Sequence, residues 1–157
     1  MGTDLSIVRY SKKYEKQVID LVGGILCELD VVPQSELPLD DEDLYHITDV
    51  YKGRGGFWVA VTSHDEVVGT VGIKEMDQTK AKLKRMFVSP NYRGTGISQK
   101  LLDTAILFAK GAGYLTLQLN THLNMKRAHR FYEKNGFKKT DTGSCDPVCS
   151  YHYVREL

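Results

Sequence analysis

The sequence has few cysteines, no long hydrophobic run and almost no excess charge of either sign. Its 157 residues include three cysteines, an odd number, which argues against a disulfide framework and fits a reducing compartment. Lys and Arg number 21 against 20 for Asp and Glu, so no overall field would attract nucleic acid or an anionic membrane. No stretch approaches the ~20 apolar residues of a membrane span, and the first residues, Met1 to Asp4, lack a signal-peptide pattern. We therefore expect a cytoplasmic protein that binds neither nucleic acid nor membrane.

A recognisable metal-binding pattern is also lacking. Cys145, Cys149 and His152 are ligand-type residues that lie close together near the end of the chain. Their spacing matches no structural zinc site, and a fourth ligand is not in sight. We interpret them as residues of a loop that leads into a strand, and we expect no metal.

The sequence does contain an alternation of strand and helix patterns along its whole length. Apolar spacing of 3.6 residues predicts helices, and short apolar runs bounded by glycine, proline or polar turns predict strands. The predicted helices cover 14–29, 41–51 (capped by Asp40 or Asp41), 97–110 and 126–135, and the predicted strands cover 6–10, 57–61, 67–73, 83–88, 114–119, 137–141 and 148–154. We therefore expect one domain over residues 1–157 with an α/β (α+β) fold, in which a mixed sheet of about seven strands has helices on both faces.

A glycine-containing stretch, Arg93-Gly94-Thr95-Gly96-Ile97-Ser98, lies between a predicted strand and a predicted helix. The first N–H groups of a helix are unpaired and carry the positive end of its dipole, so an anion can bind there. The glycines let the backbone approach phosphate oxygens, and Arg93 can add a charged contact. Gln99 stands where a dinucleotide fingerprint has its third glycine, and no Gly-Lys-Ser/Thr follows. The pattern favours a phosphate group other than that of NAD or ATP, the alternative being a plain helix cap.

The same residues resemble the pyrophosphate loop of the GCN5-related N-acetyltransferases, Arg/Gln-x-x-Gly-x-Gly/Ala, with Ser98 at the last position. The segment Leu83–Pro90 is similar to the family's fourth strand, and Ala128–Phe137 is similar to its later helix and following strand. The resemblance covers nearly the whole chain through the order of elements. It implies a sheet splayed between the fourth and fifth strands, N-acetyltransferase activity, and acetyl-coenzyme A as the co-substrate.

The resemblance also implies the residues of the site. The pantetheine arm would pair with the fourth strand, where the N–H of Phe87 or Val88 would polarise the thioester carbonyl. Tyr132 would protonate the departing thiolate, although a tyrosine at this helix position can equally serve core packing. The family's asparagine contact falls on Met125, which leaves Asn124, one residue earlier, as the candidate. The implied cofactor-binding residues are Met86, Phe87, Val88, Arg93, Gly94, Thr95, Gly96, Ile97, Ser98, Asn124 and Tyr132.

The resemblance does not supply a general base. Relatives have a glutamate near the start of the fourth strand, where this chain has Lys80–Lys82. Glu75 is the candidate catalytic base, with Glu36 and His46 behind it, and each is alternatively an ordinary surface charge or cap. His122 follows a predicted strand and could shuttle a proton, or it is a surface loop residue.

The acceptor is expected to be a primary amine of a small molecule or a peptide. Arg85 lies among apolar residues and must be paired if it is buried, either with an acceptor carboxylate or with a neighbouring acid. The acidic segment 28–43 hints at a cationic acceptor, or it is simply a solvated loop and helix start. The sequence leaves open whether the chain forms a homodimer. The alternative function is a non-catalytic acyl-coenzyme A sensor or interaction module with the same fold.

Overall fold

A computed structural model describes residues 4–140, 144–145 and 149–157. The helices are α1 (Glu15–Glu28), α2 (Glu42–Tyr45), α3 (Ile47–Val50), α4 (Ile97–Gly111) and α5 (Lys126–Lys134). The strands are β1 (Leu5–Arg9), β2 (Gly56–Thr62), β3 (Val67–Glu75), β4 (Lys80–Val88), β5 (Thr116–His122), β6 (Lys138–Lys139), β7 (Ser144–Cys145) and β8 (Cys149–Glu156). Short 3₁₀ turns cover Lys12–Tyr14, Gln34–Glu36 and Pro90–Tyr92.

The strands form one open mixed sheet in the order β1-β2-β3-β4-β5-β8-β6, and the two-residue β7 pairs with β8. Among the described strands, β4 and β5 form the one parallel pair, and the other neighbours are antiparallel. The predicted mixed sheet of about seven strands is therefore confirmed. Strand β7 is an addition that the sequence patterns did not predict.

Strands β4 and β5 separate soon after they meet. They pair over three positions, from Lys80 with Thr116 to Lys82 with Gln118. Beyond that point β4 continues along β3, and β5 continues along β8. The sheet therefore opens into a V-shaped gap, and the predicted splay between the fourth and fifth strands is confirmed.

A β-bulge turns the second half of β4. Thr70 pairs with Phe87 and Gly72 pairs with Lys84, so two residues of β4, Arg85 and Met86, lie opposite one residue of β3. Arg85 has φ 54°, which is unusual for a residue with a side chain. The fully buried Thr70 hydroxyl donates a 2.7 Å hydrogen bond to the Arg85 carbonyl oxygen. The bulge is thus held from the neighbouring strand.

Helices cover the sheet from both sides. Strand β2 is buried along its whole length because α1–α3 lie on one face and α4 lies on the other, as its continuous apolar run indicates. One core cluster includes Val71, Leu83, Leu101, Leu102, Leu117 and Phe137. The opposite cluster includes Val18, Val22, Leu44, Tyr51, Phe57 and Val59. None of the described helices combines the length and apolarity that crossing a bilayer requires.

The predicted second helix is two short helices that meet at His46. His46 has φ −138° and ψ 38°, which breaks the helical path between α2 and α3. Asp41 occupies the predicted N-cap position of α2, but its carboxylate accepts from Arg85 and caps no helical N–H. The last predicted strands are β6 and β8, while residues 141 and 148 lie outside the described part of the chain.

Gly72 and Gly24 are expected to respond oppositely to substitution by alanine. A Cβ on Gly72 would lie 2.9 Å from Tyr51 Cε1 and Phe57 Cδ2, which belong to a packed edge-to-face ring pair. We expect Gly72→Ala to lower the free energy of unfolding by about 1–3 kcal/mol. A Cβ on the helical Gly24 would meet no atom within 4 Å, so Gly24→Ala should raise it by about 0.5–1 kcal/mol. Urea denaturation measures both changes, and an unchanged Gly72→Ala variant would contradict this packing.

Candidate functional site

A cleft of ≈440 Å³ lies at the gap between β4 and β5. The end of α1, the end of β4, the loop before α4 and the start of α5 form its walls. It brings together nine of the eleven predicted cofactor-binding residues. These are Met86, Phe87, Val88, Arg93, Gly94, Gly96, Ser98, Asn124 and Tyr132. Thr95 and Ile97 do not line the cleft, although both belong to the same loop. Ile25, Leu29, Gln99, Lys126, Arg127 and Phe131 also line it and were not predicted as contacts.

The glycines of the loop serve its backbone conformation. Gly94 and Gly96 have φ values of 79° and 87°, a region that favours glycine. A Cβ on either residue would meet no chain atom within 4 Å, so the space beside them is open to a ligand. The Thr95 hydroxyl donates a 2.6 Å hydrogen bond to the Tyr92 carbonyl oxygen. The side chain of Ile97 is buried in the core and anchors the start of α4.

The loop presents a row of free main-chain donors. Within the described parts of the chain, the N–H groups of residues 94–98 have no acceptor. They stand at the positive end of the 15-residue helix α4. Unpaired donors at a helix N-terminus are a suitable site for a phosphate group.

Two contacts fix the end of α1 against the walls of the cleft. The Arg93 guanidinium pairs with the Glu28 carboxylate at 3.0 Å. The Asn124 side-chain amide donates a 3.0 Å hydrogen bond to the Leu29 carbonyl oxygen. Arg93 and Asn124 thus lie in the cleft as predicted, but each already has a protein partner. Sequence patterns could not reveal Glu28 as the partner of Arg93, because 65 residues separate the two.

The β3–β4 ladder decides which N–H group of β4 faces the gap. The N–H of Ser89 donates to the Val68 carbonyl oxygen at 2.8 Å. Because donors alternate in direction along an antiparallel strand, the N–H of Val88 points away from β3 and towards the gap, and that of Phe87 points to Thr70. Of the two predicted donors, Val88 is therefore the one with a free N–H on the side of the cleft.

Tyr132 lies at the cleft wall with its ring packed in the core. It is 6% exposed, and its ring contacts Phe137 and Tyr153 at centroid distances of 5.6 and 6.4 Å. Its hydroxyl has no hydrogen-bond partner among the residues that the structure describes. Burial raises the pKa of Tyr132 well above the ordinary value, so the hydroxyl keeps its proton near neutral pH.

The structure does not bring Glu75 to the cleft. Glu75 ends β3 opposite Ala81, five residues along from Thr70, which pairs with Phe87. Five strand residues span roughly 17 Å, so Glu75 lies near the closed end of the β4–β5 pair. Its carboxylate pairs there with Arg54 at 3.0 Å.

The other candidate bases do not line the cleft either. Glu36 and His46 are exposed residues in the turns around α2. His122 ends β5, where its Nδ1 accepts from the Asn124 N–H at 3.0 Å and its carbonyl oxygen contacts His129 Nε2 at 2.9 Å. The contacts of His122 therefore shape the turn that carries Asn124.

Arg85 is paired, as its position required, and its partners are acids of this chain. Its Nε and Nη2 donate to the two Asp43 oxygens at 3.0 and 2.7 Å, and Nη2 also donates to Asp41 at 2.6 Å. The Tyr51 hydroxyl donates to Asp43 at 2.9 Å. Burial acts to raise the pKa of Asp43, but the Arg85 bonds outweigh it, and the pKa is lowered overall. Arg85 is therefore not free for an acceptor carboxylate.

A second depression of ≈590 Å³ lies on the outer side of α1. Its lining includes Ile19, Gly23, Leu37, Pro38 and Tyr45, and it shares no residue with the cleft. It contains neither the free N–H groups of the loop nor the residues of the gap. We therefore assign the site to the cleft.

The fold and the site define an α/β protein that can hold an extended, phosphate-bearing ligand across a gap in its sheet. The sequence profile described as acetyltransferase (GNAT) domain matches residues 53–139. The chain belongs to this GNAT acetyltransferase family.

Individual relatives agree with this assignment. N-acetyltransferase 8 of Rattus norvegicus is 38% identical over 111 residues, which are 66% of this chain and 50% of that protein. The chain spans about half the length of such curated relatives. A GNAT-family acetyltransferase from Staphylococcus aureus has a similar structure, with a TM-score of 0.86, 30% identity, and coverage of 98% of this chain and 99% of that chain. The PaiA N-acetyltransferase from Thermoplasma acidophilum, solved with coenzyme A, has a TM-score of 0.80 at 20% identity, covering 98% and 99%.

Asp43→Asn is expected to destabilise the protein in a pH-dependent way. It weakens a half-buried ion pair, so the free energy of unfolding should fall by about 1–3 kcal/mol at neutral pH. The more exposed Asp41 is the matched control, and Asp41→Asn should cost less than about 1 kcal/mol. Because the folded pKa of Asp43 is lowered, its stabilisation exists above the unfolded value near ~3.9 and is lost as pH falls below it. Urea unfolding from about pH 6 to pH 3 should show wild type and Asp43→Asn converging; a constant difference would contradict the ion-pair account.

Proposed function

We propose that the protein is an N-acetyltransferase that moves an acetyl group from acetyl-coenzyme A to a primary amine of a small molecule or peptide. The observation that carries the proposal is one cleft that combines the V-shaped gap, the free N–H groups of the glycine loop and the protonated Tyr132 hydroxyl. Each of these three features suits a different part of an acyl-coenzyme A substrate.

Coenzyme A would bind along the cleft with its phosphates at the loop. The N–H groups of residues 94–98 would receive the pyrophosphate. Arg93, Lys126 and Arg127 line the same cleft and add positive charge for the phosphates. The pantetheine arm carries amides, and the end of β4 offers unpaired backbone groups on the side of the gap. Acetyl-coenzyme A is therefore the co-substrate of the proposed reaction.

The reaction would proceed by direct attack within a ternary complex. The neutral amine nitrogen attacks the thioester carbonyl carbon, and the N–H of Val88 stabilises the oxyanion that forms. The C–S bond then breaks as the amide forms, and the thiolate takes the Tyr132 proton. The nitrogen loses its extra proton to solvent, and Tyr132 takes a proton from solvent, which restores its starting state. Holding both reactants in one cleft can lower the activation barrier by roughly 7–11 kcal/mol.

A second candidate function is a non-catalytic acyl-coenzyme A sensor. It is favoured by one observation: no carboxylate or imidazole is among the described side chains that line the cleft. A base is nevertheless not compulsory, because an α-amino group titrates near ~8 and is partly neutral at mildly alkaline pH. Turnover therefore distinguishes the two functions.

Tyr132→Phe should slow acetyl transfer without abolishing coenzyme binding. Loss of a general acid typically costs about 10²-fold or more in kcat, whereas KM for acetyl-coenzyme A should change little. Tyr153→Phe is the matched control, because Tyr153 is also buried but donates to Glu133 and does not line the cleft. Thiol release is measured with a panel of amines, amino acids, polyamines and peptides. Equal rates for wild type and Tyr132→Phe would contradict the assigned role, and binding without turnover on any acceptor would support the sensor.

Coenzyme A should stabilise the protein through the loop. At about 100 times its dissociation constant, the ligand should add about 2.7 kcal/mol to the free energy of unfolding. Gly96→Val should weaken binding more than about tenfold, since valine disfavours φ 87° and its side chain fills the open space beside the loop. Gly111→Ala is the control, because its added Cβ meets nothing within 4 Å. Undiminished binding by Gly96→Val would exclude the loop as the phosphate site.

A further inference from the structure

Three lysines lie together on the sheet face that carries α1–α3. Lys74 of β3 and Lys82 of β4 are directly opposite each other, and Lys84 follows Lys82 on the same face. Like charges placed opposite each other in a sheet are destabilising. Within the described chain, none of the three ammonium groups has a carboxylate within 4 Å. The cluster is therefore a group of unpaired cations.

The acids near this lysine cluster are already occupied. Both oxygens of Asp43 accept hydrogen bonds from Arg85, and Asp41 pairs with the same guanidinium. Glu28, the last residue of α1, pairs with Arg93. These three carboxylates are thus engaged by the two arginines, and none of them is within 4 Å of a lysine of the cluster.

Lys84 occupies the point at which the sheet opens. The last β4–β5 pair is Lys82 with Gln118, so Lys84 lies just beyond it, two residues before Met86, at the edge of the cleft rather than among the residues that line it. Lys84 is half-buried, and burial lowers its pKa, as do the nearby Lys82, Arg85 and Lys74, while Asp43 acts to raise it. A half-buried ammonium group without a hydrogen-bond partner is costly, and an anionic ligand would supply the partner.

We propose that Lys84, supported by Lys82 and Lys74, binds a carboxylate of the acceptor, so that the acceptor is an amino acid or a similar amine that bears an acidic group. This inference rests on the proposed function and names its substrate class. The same cations would lower the pKa of the acceptor's amine, because like charges disfavour the protonated form. The lysine cluster therefore also accounts for a cleft without a carboxylate base, since more of the bound amine is neutral at a given pH.

The test compares amino acids with their carboxamides as acceptors. In wild type, kcat/KM for the acids should exceed that for the amides by about tenfold, typical of a hydrogen bond to a charged group. An amino acid amide has the more readily deprotonated amine, so amine ionisation alone would favour the amide. In Lys84→Gln the ratio should fall to near one, mainly because kcat/KM for the amino acids falls while that for the amides changes little. Lys110→Gln, at an exposed lysine of α4, should keep the ratio.

Two results would overturn the carboxylate site. The first is a wild-type preference for amides or for spermidine, and the second is an acid preference that survives in Lys84→Gln. If no amine is acetylated, the proposed function fails. The carboxylate site is then tested separately, by calorimetric binding of the same acids and amides to protein saturated with coenzyme A. Tighter binding of the acids that is lost in Lys84→Gln supports the site. Equal affinity for acids and amides, or no binding of either, overturns it.

Discussion

The early separation of β4 from β5 is the constraint on which the rest of the site depends. Three residue pairs join the strands before the gap opens, and the bulge at Arg85 and Met86 redirects β4 beyond that point. Backbone groups that face the gap lack the partners they would have in a closed sheet, and such groups require hydrogen bonds. An extended ligand that carries amides can supply them. The fold thus leaves backbone groups unpaired, and the amides of a coenzyme A arm are suited to pair with them.

The two arginines Arg85 and Arg93 are paired with carboxylates, whereas the lysines of the cluster have no such partner among the described residues. Arg85 and Arg93 are each held by carboxylates, and both ion pairs connect α1 and the segment after it to the walls of the gap. These arginines thereby position α1 and α2 beside β4. Lys84 and its neighbours remain unpaired at the point where the strands separate. Arg85 therefore serves positioning alone, whereas Arg93 both pairs with Glu28 and lines the cleft.

The sequence predicts local features of this protein well and distant contacts poorly. Apolar periodicity and glycine positions determine the order of elements and the loop from 93 to 98, because both act within a few residues of the chain. The pairs Arg85–Asp43 and Arg93–Glu28 join residues 42 and 65 positions apart, so no sequence spacing reveals them. Glu75 was predicted as a base from its place at the end of a strand, but the direction of β3 carries it away from the cleft. The position of such a side chain relative to the cleft depends on how its strand pairs with the adjacent strands.

The most direct test of the central claim is a titration with coenzyme A followed by backbone amide resonances in nuclear magnetic resonance spectra. Amide shifts report which main-chain N–H groups contact the ligand. The largest changes should fall on residues 94–98, whose N–H groups have no acceptor among the described residues, and on Val88, whose N–H points towards the gap. Changes centred instead on the outer depression of α1, around Gly23, Pro38 and Tyr45, would contradict the account.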